Sequence, residues 1–217
     1  MAYDHTEQEQ LDELKAWWKT YGNLITWLLI AVLLAFSTWK MWGIYQGQQA
    51  AQASKLYEEV QKALQDKDAA KLQRAVTDIQ EKYAGTEYAQ MAGLLSAKSA
   101  FDINDLKTAK ARLVWVQEHG KTDEFKAIAK LRLASILQDE KSFDEALKLL
   151  SGEFPTELLA SVADKKGDIL VAQNKLAEAR TAYQLALDKS TDQNPSRQLI
   201  QLKLDAIGGP VAKVANK

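Results

Sequence analysis

The sequence predicts an all-α protein, with one N-terminal transmembrane helix followed by a water-soluble solenoid of helical hairpins. Two patterns support this fold class: a run of twenty uncharged residues near the start, and apolar residues that recur every three or four positions after it. The 217 residues include only three prolines and ten glycines, and they are rich in Ala, Leu, Lys, Gln and Glu. These side chains lose little rotamer freedom in a helix, so we expect essentially no strand.

The uncharged run covers residues 20–39 and is bounded by Lys19 and Lys40. A helix of this length spans roughly 30 Å, the thickness of the hydrocarbon core of a bilayer. Leu, Ile, Val and Phe each favour insertion into the bilayer by about 0.3 to 0.6 kcal/mol, and the run contains no charged residue to oppose insertion. We predict a transmembrane helix over residues 20–42, anchored by Leu24, Ile25, Leu28, Leu29, Ile30, Val32, Leu33, Leu34 and Phe36.

Aromatic and basic residues flank the run at both ends, as is typical where a helix crosses the two headgroup layers. The predicted interface residues are Trp17, Trp18, Lys19, Tyr21, Trp39, Lys40 and Trp42. Two alternatives are a core helix of a soluble protein and a cleaved signal peptide ending at the small triplet of residues 51–53. The first is disfavoured by the uncharged length, and the second by the length and by the distance to the triplet.

Charge does not determine the orientation of this helix. The relevant rule counts Lys and Arg near the two ends, and it finds Lys15 and Lys19 on one side and Lys40 and Lys55 on the other. The acidic tail of residues 1–19 contributes little to that rule. The residues alone therefore leave the predicted soluble domain, residues 43–207, on either face of the membrane.

Turn-forming breaks divide the rest of the chain into about nine short helices joined as hairpins. The breaks fall at residues 66–68, 84–86, 102–105, 119–122, 139–142, 152–155, 173–175 and 190–195. The last ten residues, 208–217, have no periodicity and are predicted to be a flexible tail.

Three hairpins share one register, in which a small residue on the first helix is followed twelve positions later by Ala on the second. The pairs are Ala97 with Ala109, Ala134 with Ala146, and Gly167 with Ala179, and the last two pairs repeat after 33 residues. This pattern resembles the tetratricopeptide repeat, in which small residues let two antiparallel helices approach closely. The Trp and the helix-ending Pro of that repeat are missing, and an unrelated helical bundle is the alternative.

In such a stack, the first helices of successive pairs line a concave surface that suits an extended segment or a partner helix. Each residue on it is individually more typical of ordinary packing or solvated surface. The predicted partner-binding groove consists of Met91, Leu94, Lys98, Phe101, Ile128, Leu131, Gln138, Asp164 and Asp168.

The residues indicate binding rather than catalysis. There are no cysteines, and the two histidines, His5 and His119, have no second ligand at metal-binding spacing. No phosphate-binding glycine loop, nucleophile elbow or zinc-protease motif occurs, so we expect no cofactor and no metal. The formal charge of −1 gives no reason to expect a nucleic-acid partner.

Taken together, the acidic tail, the WWKTYGN opening of the apolar helix, its exit STWKMWGIYQGQQAAQASKLYEEV and the LAEARTAYQLAL hairpin resemble the ancillary subunits of the bacterial SecYEG translocon. The resemblance implies a single-pass inner-membrane protein with a cytoplasmic tail and a periplasmic repeat domain. It also implies association with SecYEG and with a membrane-anchored periplasmic chaperone of the peptidyl-prolyl isomerase type. A repeat domain anchored at the translocon exit is in turn expected to meet secretory client chains. The alternatives are a scaffold or regulator whose domain lies in the cytoplasm and, in a third class, an enzyme.

Overall fold

A computed structural model describes residues 3–191 and 193–209 of the chain. Within these ranges it contains α-helices and one short 3₁₀ helix, and no strand, which confirms the all-α prediction. The chain divides into two compact units, with the boundary between Gln49 and Ala50.

The helices follow one another with short connections. Their bounds are α1 Tyr3–Gln65, α2 Ala69–Lys82, α3 Glu87–Asp102, α4 Leu106–His119, α5 Asp123–Asp139, α6 Phe143–Leu149, the 3₁₀ helix Thr156–Leu158, α7 Leu159–Ala172, α8 Leu176–Lys189 and α9 Arg197–Ala206. Each predicted break after residue 65 coincides with a gap between two of these helices.

Four hairpins close through the same turn. They join the end of α1 to α2, α3 to α4, α5 to α6, and α7 to α8, and each has one residue in the left-handed region: Lys67 (φ 52°), Asn104 (62°), Lys141 (62°) and Asn174 (61°). In each case the next amide donates to a carbonyl five residues back, for example Asp105 N to Ala100 O at 2.8 Å and Lys175 N to Leu170 O at 2.8 Å. This is the Schellman end of a helix.

The same turn closes the first hairpin, so the structural repeat includes that hairpin as well. Sequence comparison aligned only the last three hairpins, yet Asp68 N donates to Ala63 O at 2.9 Å in the first, as its counterparts do. Asp68 and Asp105 then cap the second helix of their hairpins by accepting from the amides of Lys71 and Thr108 at 3.0 and 3.1 Å. A carboxylate at this position satisfies one of the free amides in the first helical turn.

The small residues predicted to lie at helix crossings are buried. Ala109, Ala134, Ala146 and Ala179 have no exposed surface, and Gly167 is also buried. A Cβ on Gly167 would lie 2.9 Å from Cζ of Tyr183 and closer to two other carbons of that ring. The close approach of α7 and α8 therefore depends on the missing side chain.

Among the described residues, the second unit, which begins at Ala50, has three hydrophobic cores. The N-terminal core includes Val60, Val76 and Ile79; the central core includes Leu113, Leu150 and Ile169; the C-terminal core includes Tyr183, Ile200 and Leu204. Trp115 packs against both the N-terminal and central cores, and Leu147 packs against both the central and C-terminal cores. Each core thus belongs to neighbouring hairpins, as expected for a stacked repeat.

Candidate functional site

The apolar stretch of α1 is exposed along its length. All nine predicted anchor residues lie on this helix, eight of them exposed and Ile25 partly buried. In the part of the chain that the structure describes, one helix, between Gln10 and Gln65, is long and apolar enough to cross a membrane, and its most apolar window has no buried residue. A core helix of a soluble protein would be covered by its own fold, so this exposure disfavours that alternative.

The predicted interface side chains are also exposed, and several pair along the helix. The Trp17 and Tyr21 ring centroids are 5.8 Å apart, those of Phe36 and Trp39 are 6.1 Å apart, and those of Trp42 and Tyr45 are 6.0 Å apart. Such amphipathic rings settle at the headgroup level of a bilayer. The assignment of these residues to an interface remains a prediction.

The small triplet that a signal peptidase would need lies inside the fold. Ala51, Gln52 and Ala53 are helical, Ala53 is fully buried in the N-terminal core, and the Gln52 amide oxygen accepts from the Tyr83 hydroxyl at 2.5 Å. Cleavage there would remove a buried side chain from the first hairpin. The structure therefore favours an uncleaved anchor over a signal peptide.

A groove of about 350 Å³ lies between α3, α4 and α5. Its walls combine apolar side chains with charges of both signs, and they consist of Ala97, Lys98, Phe101, Asp102, Leu113, Arg132, Ser135 and Ile136. Two residues of the predicted partner-binding set, Lys98 and Phe101, line it. Phe101 is 42% exposed, and Lys98 Nζ lies 2.7 Å from Asp102 Oδ2.

The other α3 and α5 members of the predicted set lie outside this groove. Met91 is 37% exposed, whereas Leu94 is only 8% exposed and belongs to the central core. Ile128 and Leu131 are partly buried against the same core, and Gln138 is half-buried. The structure thus distributes these five residues between core and surface, and their role in binding stays a prediction.

Arg132, which is not among the predicted groove residues, connects α3 and α5, the first helices of two successive hairpins. Its Nη1 donates to the carbonyl oxygen of Leu94 at 3.1 Å, so a charged side chain from α5 reaches the middle of α3. The two residues are 38 positions apart, and a search for apolar repeats gives no signal for such a contact. Arg132 places a positive charge on the groove wall.

The two predicted acidic groove residues lie elsewhere, in an ion-pair cluster of α7, α8 and α9. Lys203 Nζ lies 2.9 Å from Asp164 Oδ1 and 2.8 Å from Asp168 Oδ1. The Tyr183 hydroxyl donates to Asp168 Oδ1 at 2.8 Å, and Lys165 Nζ lies 3.7 Å from Asp168 Oδ2. Both carboxylates are therefore already engaged within the fold, and Lys203 holds α9 against α7.

Burial shifts the pKa values in this cluster. It raises the pKa of Asp164, and repulsion from Asp168 adds to that shift while the hydrogen bond from Lys203 opposes it. Burial alone would lower the pKa of Lys203, but its hydrogen bonds to Asp168 and Asp164 raise it overall. Burial also raises the pKa of Tyr183, further raised by its hydrogen bond to Asp168. The cluster is thus a partly dehydrated salt bridge.

The contacts of the His119 ring lie within α4. Its ring stacks on that of Trp115 with centroids 4.8 Å apart, and its Nδ1 lies 3.0 Å from the Trp115 carbonyl oxygen. It is the last residue of α4, where an imidazole can interact with free carbonyl groups. His5 has no described side chain. Among the described residues, no group of three or more His, Asp or Glu side chains could hold a metal ion.

Comparison with known proteins agrees with this architecture. Residues 15–209 match the tetratricopeptide repeat-like domain family. The chain is 31% identical to a protein of Neisseria gonorrhoeae over 95% of its own length and 100% of the relative's. It is 28% identical to one of Haemophilus influenzae over 94% and 99% of the two lengths, and 26% identical to one of Escherichia coli over 94% and 98%.

All three relatives carry the name ancillary SecYEG translocon subunit. The matches cover both the apolar helix and the hairpins, so the whole architecture is shared rather than one segment of it. This is not a family of enzymes, and its repeat-like domain accounts for the four equivalent hairpin turns. The chain belongs to the family of ancillary SecYEG translocon subunits, with a tetratricopeptide repeat-like domain.

Proposed function

We propose that this protein is a membrane-anchored, protein-binding subunit of the Sec translocon in the bacterial inner membrane. Residues 20–42 span the bilayer once, and residues 43–207 form a periplasmic domain that assists a peptidyl-prolyl isomerase-type chaperone in handling newly translocated chains. The observation that carries the proposal is one exposed apolar helix followed by stacked hairpins, in a chain that matches translocon subunits over nearly its whole length.

Anchoring reduces the affinity that the domain needs. A domain held at a membrane near its partner meets it at a high effective concentration, so modest contacts suffice. The groove between α3, α4 and α5 is suited to such contacts, because it combines the exposed ring of Phe101 with the charges of Lys98, Asp102 and Arg132. An extended segment or amphipathic helix presents this mixture of apolar and charged groups.

Photocrosslinking from the groove tests this function. A photoreactive residue in place of Phe101 in the full-length membrane protein is expected to capture a translocon subunit, the chaperone or a secretory chain. A matched control replaces Leu199, which is 55% exposed on α9 and lies outside the groove. Equal labelling from both positions, or no such partner from Phe101, would contradict binding through the groove.

The orientation of the domain is tested separately. In intact spheroplasts, added protease should degrade the hairpin domain if it lies in the periplasm and should leave it intact if it lies in the cytoplasm. Lysed spheroplasts serve as the control for cleavage. Protection in intact spheroplasts would favour the alternative of a cytoplasmic scaffold or regulator, which the balanced lysines at the two helix ends leave open.

The chaperone link requires its own measurement. Purification of the full-length protein from mild detergent, followed by identification of bound proteins, should recover a membrane-anchored isomerase together with SecYEG. Recovery of SecYEG without the isomerase would contradict chaperone handling while leaving the translocon association intact. The two parts of the proposal can therefore fail independently.

A further inference from the structure

In the middle of the predicted span, from residue 22 to residue 38, the hydrogen-bonding side chains lie on one face of the helix. From residue 22 to residue 38, all other side chains are Gly, Ala, Leu, Ile, Val or Phe. At 3.6 residues per turn, the polar ones fall within an arc of about 120°. We call this face the polar arc, and its hydrogen-bonding members are Asn23, Thr26, Trp27, Ser37 and Thr38.

Two members of the polar arc satisfy their hydroxyl groups within α1. Thr26 Oγ1 donates to the Gly22 carbonyl at 2.7 Å, and Thr38 Oγ1 donates to the Leu34 carbonyl at 2.8 Å. Such bonds let a hydroxyl face lipid at little cost. These two threonines therefore require no outside partner.

Asn23 and Trp27 differ from the threonines. Neither the amide of Asn23 nor the indole N–H of Trp27 bonds to another described residue, and Trp27 is 66% exposed. Trp27 lies seven residues after the start of the span, about 10 Å along the helix axis. At that depth the hydrocarbon offers no acceptor, in contrast to the headgroup level where Trp is usually found. The two side chains are one turn apart on the same face.

We propose that the polar arc docks against a transmembrane helix of another protein, which offers an acceptor to the Trp27 indole and a hydrogen-bonding partner to Asn23. The acceptor is a Ser, Thr, Asn or Gln side chain, or a carbonyl freed at a helix kink, about a third of the way across the bilayer. The opposite face, which includes Leu28, Val32 and Phe36, contacts lipid.

A second copy of this chain does not fit the polar arc. In a parallel pair, equivalent residues meet at equal depth, so the two Trp27 rings would face each other, and neither indole can accept from the other. The two bulky rings would also hold the helix backbones apart, whereas close association in lipid relies on small residues at the crossing. The partner is therefore a different polypeptide.

The test places a photoreactive residue on each face of the full-length protein in native membranes. Leu34 lies within the polar arc, and Val32 on the opposite face is the matched control. The Leu34 position should give a discrete product with another membrane protein, mapped by mass spectrometry to one transmembrane helix, at least fivefold above Val32. The double substitution Asn23→Leu, Trp27→Phe should reduce that product at least fivefold.

Retention in the membrane after carbonate extraction verifies that the double variant still inserts. Equal products from both faces, products only with lipid or with a second copy, or a product that the double substitution leaves unchanged would each overturn the inference. A mapped partner helix from a protein that is neither a translocon subunit nor the membrane-anchored isomerase supports the docking face but contradicts the proposed function. The two failures can thus be told apart.

Discussion

Replacing Gly167 with alanine tests whether the close packing of α7 on α8 sets the stability of the last hairpin. The new Cβ would lie 2.9 Å from Cζ of Tyr183 and nearer to two other ring carbons, closer than such atoms can approach. The ring is 2% exposed, and its hydroxyl donates to Asp168 at 2.8 Å, so it cannot swing away without losing that bond.

The magnitude follows from three opposing effects. Overpacking costs about 1 to 3 kcal/mol, the loss of a hydrogen bond to a charged group costs about 1.5 to 3 kcal/mol, and alanine in a helix gains about 1 kcal/mol over glycine. Because the ring can relieve the clash only at the expense of its hydrogen bond, the first two costs are alternatives. The gain from alanine offsets part of whichever cost applies, so we expect Gly167→Ala to lower the free energy of unfolding by about 1 kcal/mol.

Thermal unfolding of the full-length protein in detergent micelles, followed by circular dichroism, measures this change. A loss of about 1 kcal/mol should lower the midpoint by about 2 to 4 °C. Gly85→Ala is the control, because no atom lies within 4 Å of its Cβ position. The loss should also shrink when Tyr183→Leu removes the ring. An equal midpoint for the two glycine variants, or no dependence on Tyr183, would refute the packing argument.

Three further predictions concern α9 and the helix ends. Lys203→Met should destabilise the protein by about 1 to 3 kcal/mol at pH 7. This is less than the loss expected on breaking a fully buried ion pair, because water reaches the cluster. Lys203→Arg keeps the positive charge and should cost less. Folding disfavours the charged form of Asp164, because its pKa is raised in the folded protein. The loss of unfolding free energy caused by Lys203→Met should therefore shrink as the pH falls and this carboxyl becomes protonated. An equal loss at about pH 4 and pH 7 in urea titrations would contradict this. Folding raises the pKa values of Tyr183 and Lys203 above 10.0 and 10.5, so the stability they contribute is present below pH 10 and falls above it; Tyr183→Phe should flatten that fall. Thr86→Ala should cost about 1 kcal/mol by removing the N-cap of α3, whereas Thr86→Ser should cost little, as chemical denaturation of both variants can check.

The helix boundaries and the crossing residues could be predicted from the sequence because both depend on local chemistry. Turn residues such as Asn104 and Asn174 tolerate the left-handed conformation that a hairpin turn requires. A small residue such as Gly167 is needed where two helices of a hairpin cross closely. These requirements act within one hairpin, so periodicity and spacing reveal them.

The candidate groove could be predicted only in part. Lys98 and Phe101 line it, but the acidic pair assigned to the same surface bonds instead to Lys203, 39 residues after Asp164 on a helix outside the aligned repeats. Repeat position gives the face on which a residue lies and does not give the partner that a charged side chain finds across the stack. Arg132 was missed for the same reason.

The three cores are linked in series, and side chains such as Trp115 and Leu147 each pack against two of them. A stack connected in this way transmits strain mainly between adjacent pairs. Tension applied at the C-terminal end would detach α9 and the last pair while the earlier pairs stayed folded. The domain should therefore extend in a series of steps in a force-extension record, rather than rupture in a single event, and it could yield locally to a moving chain without losing its remaining structure.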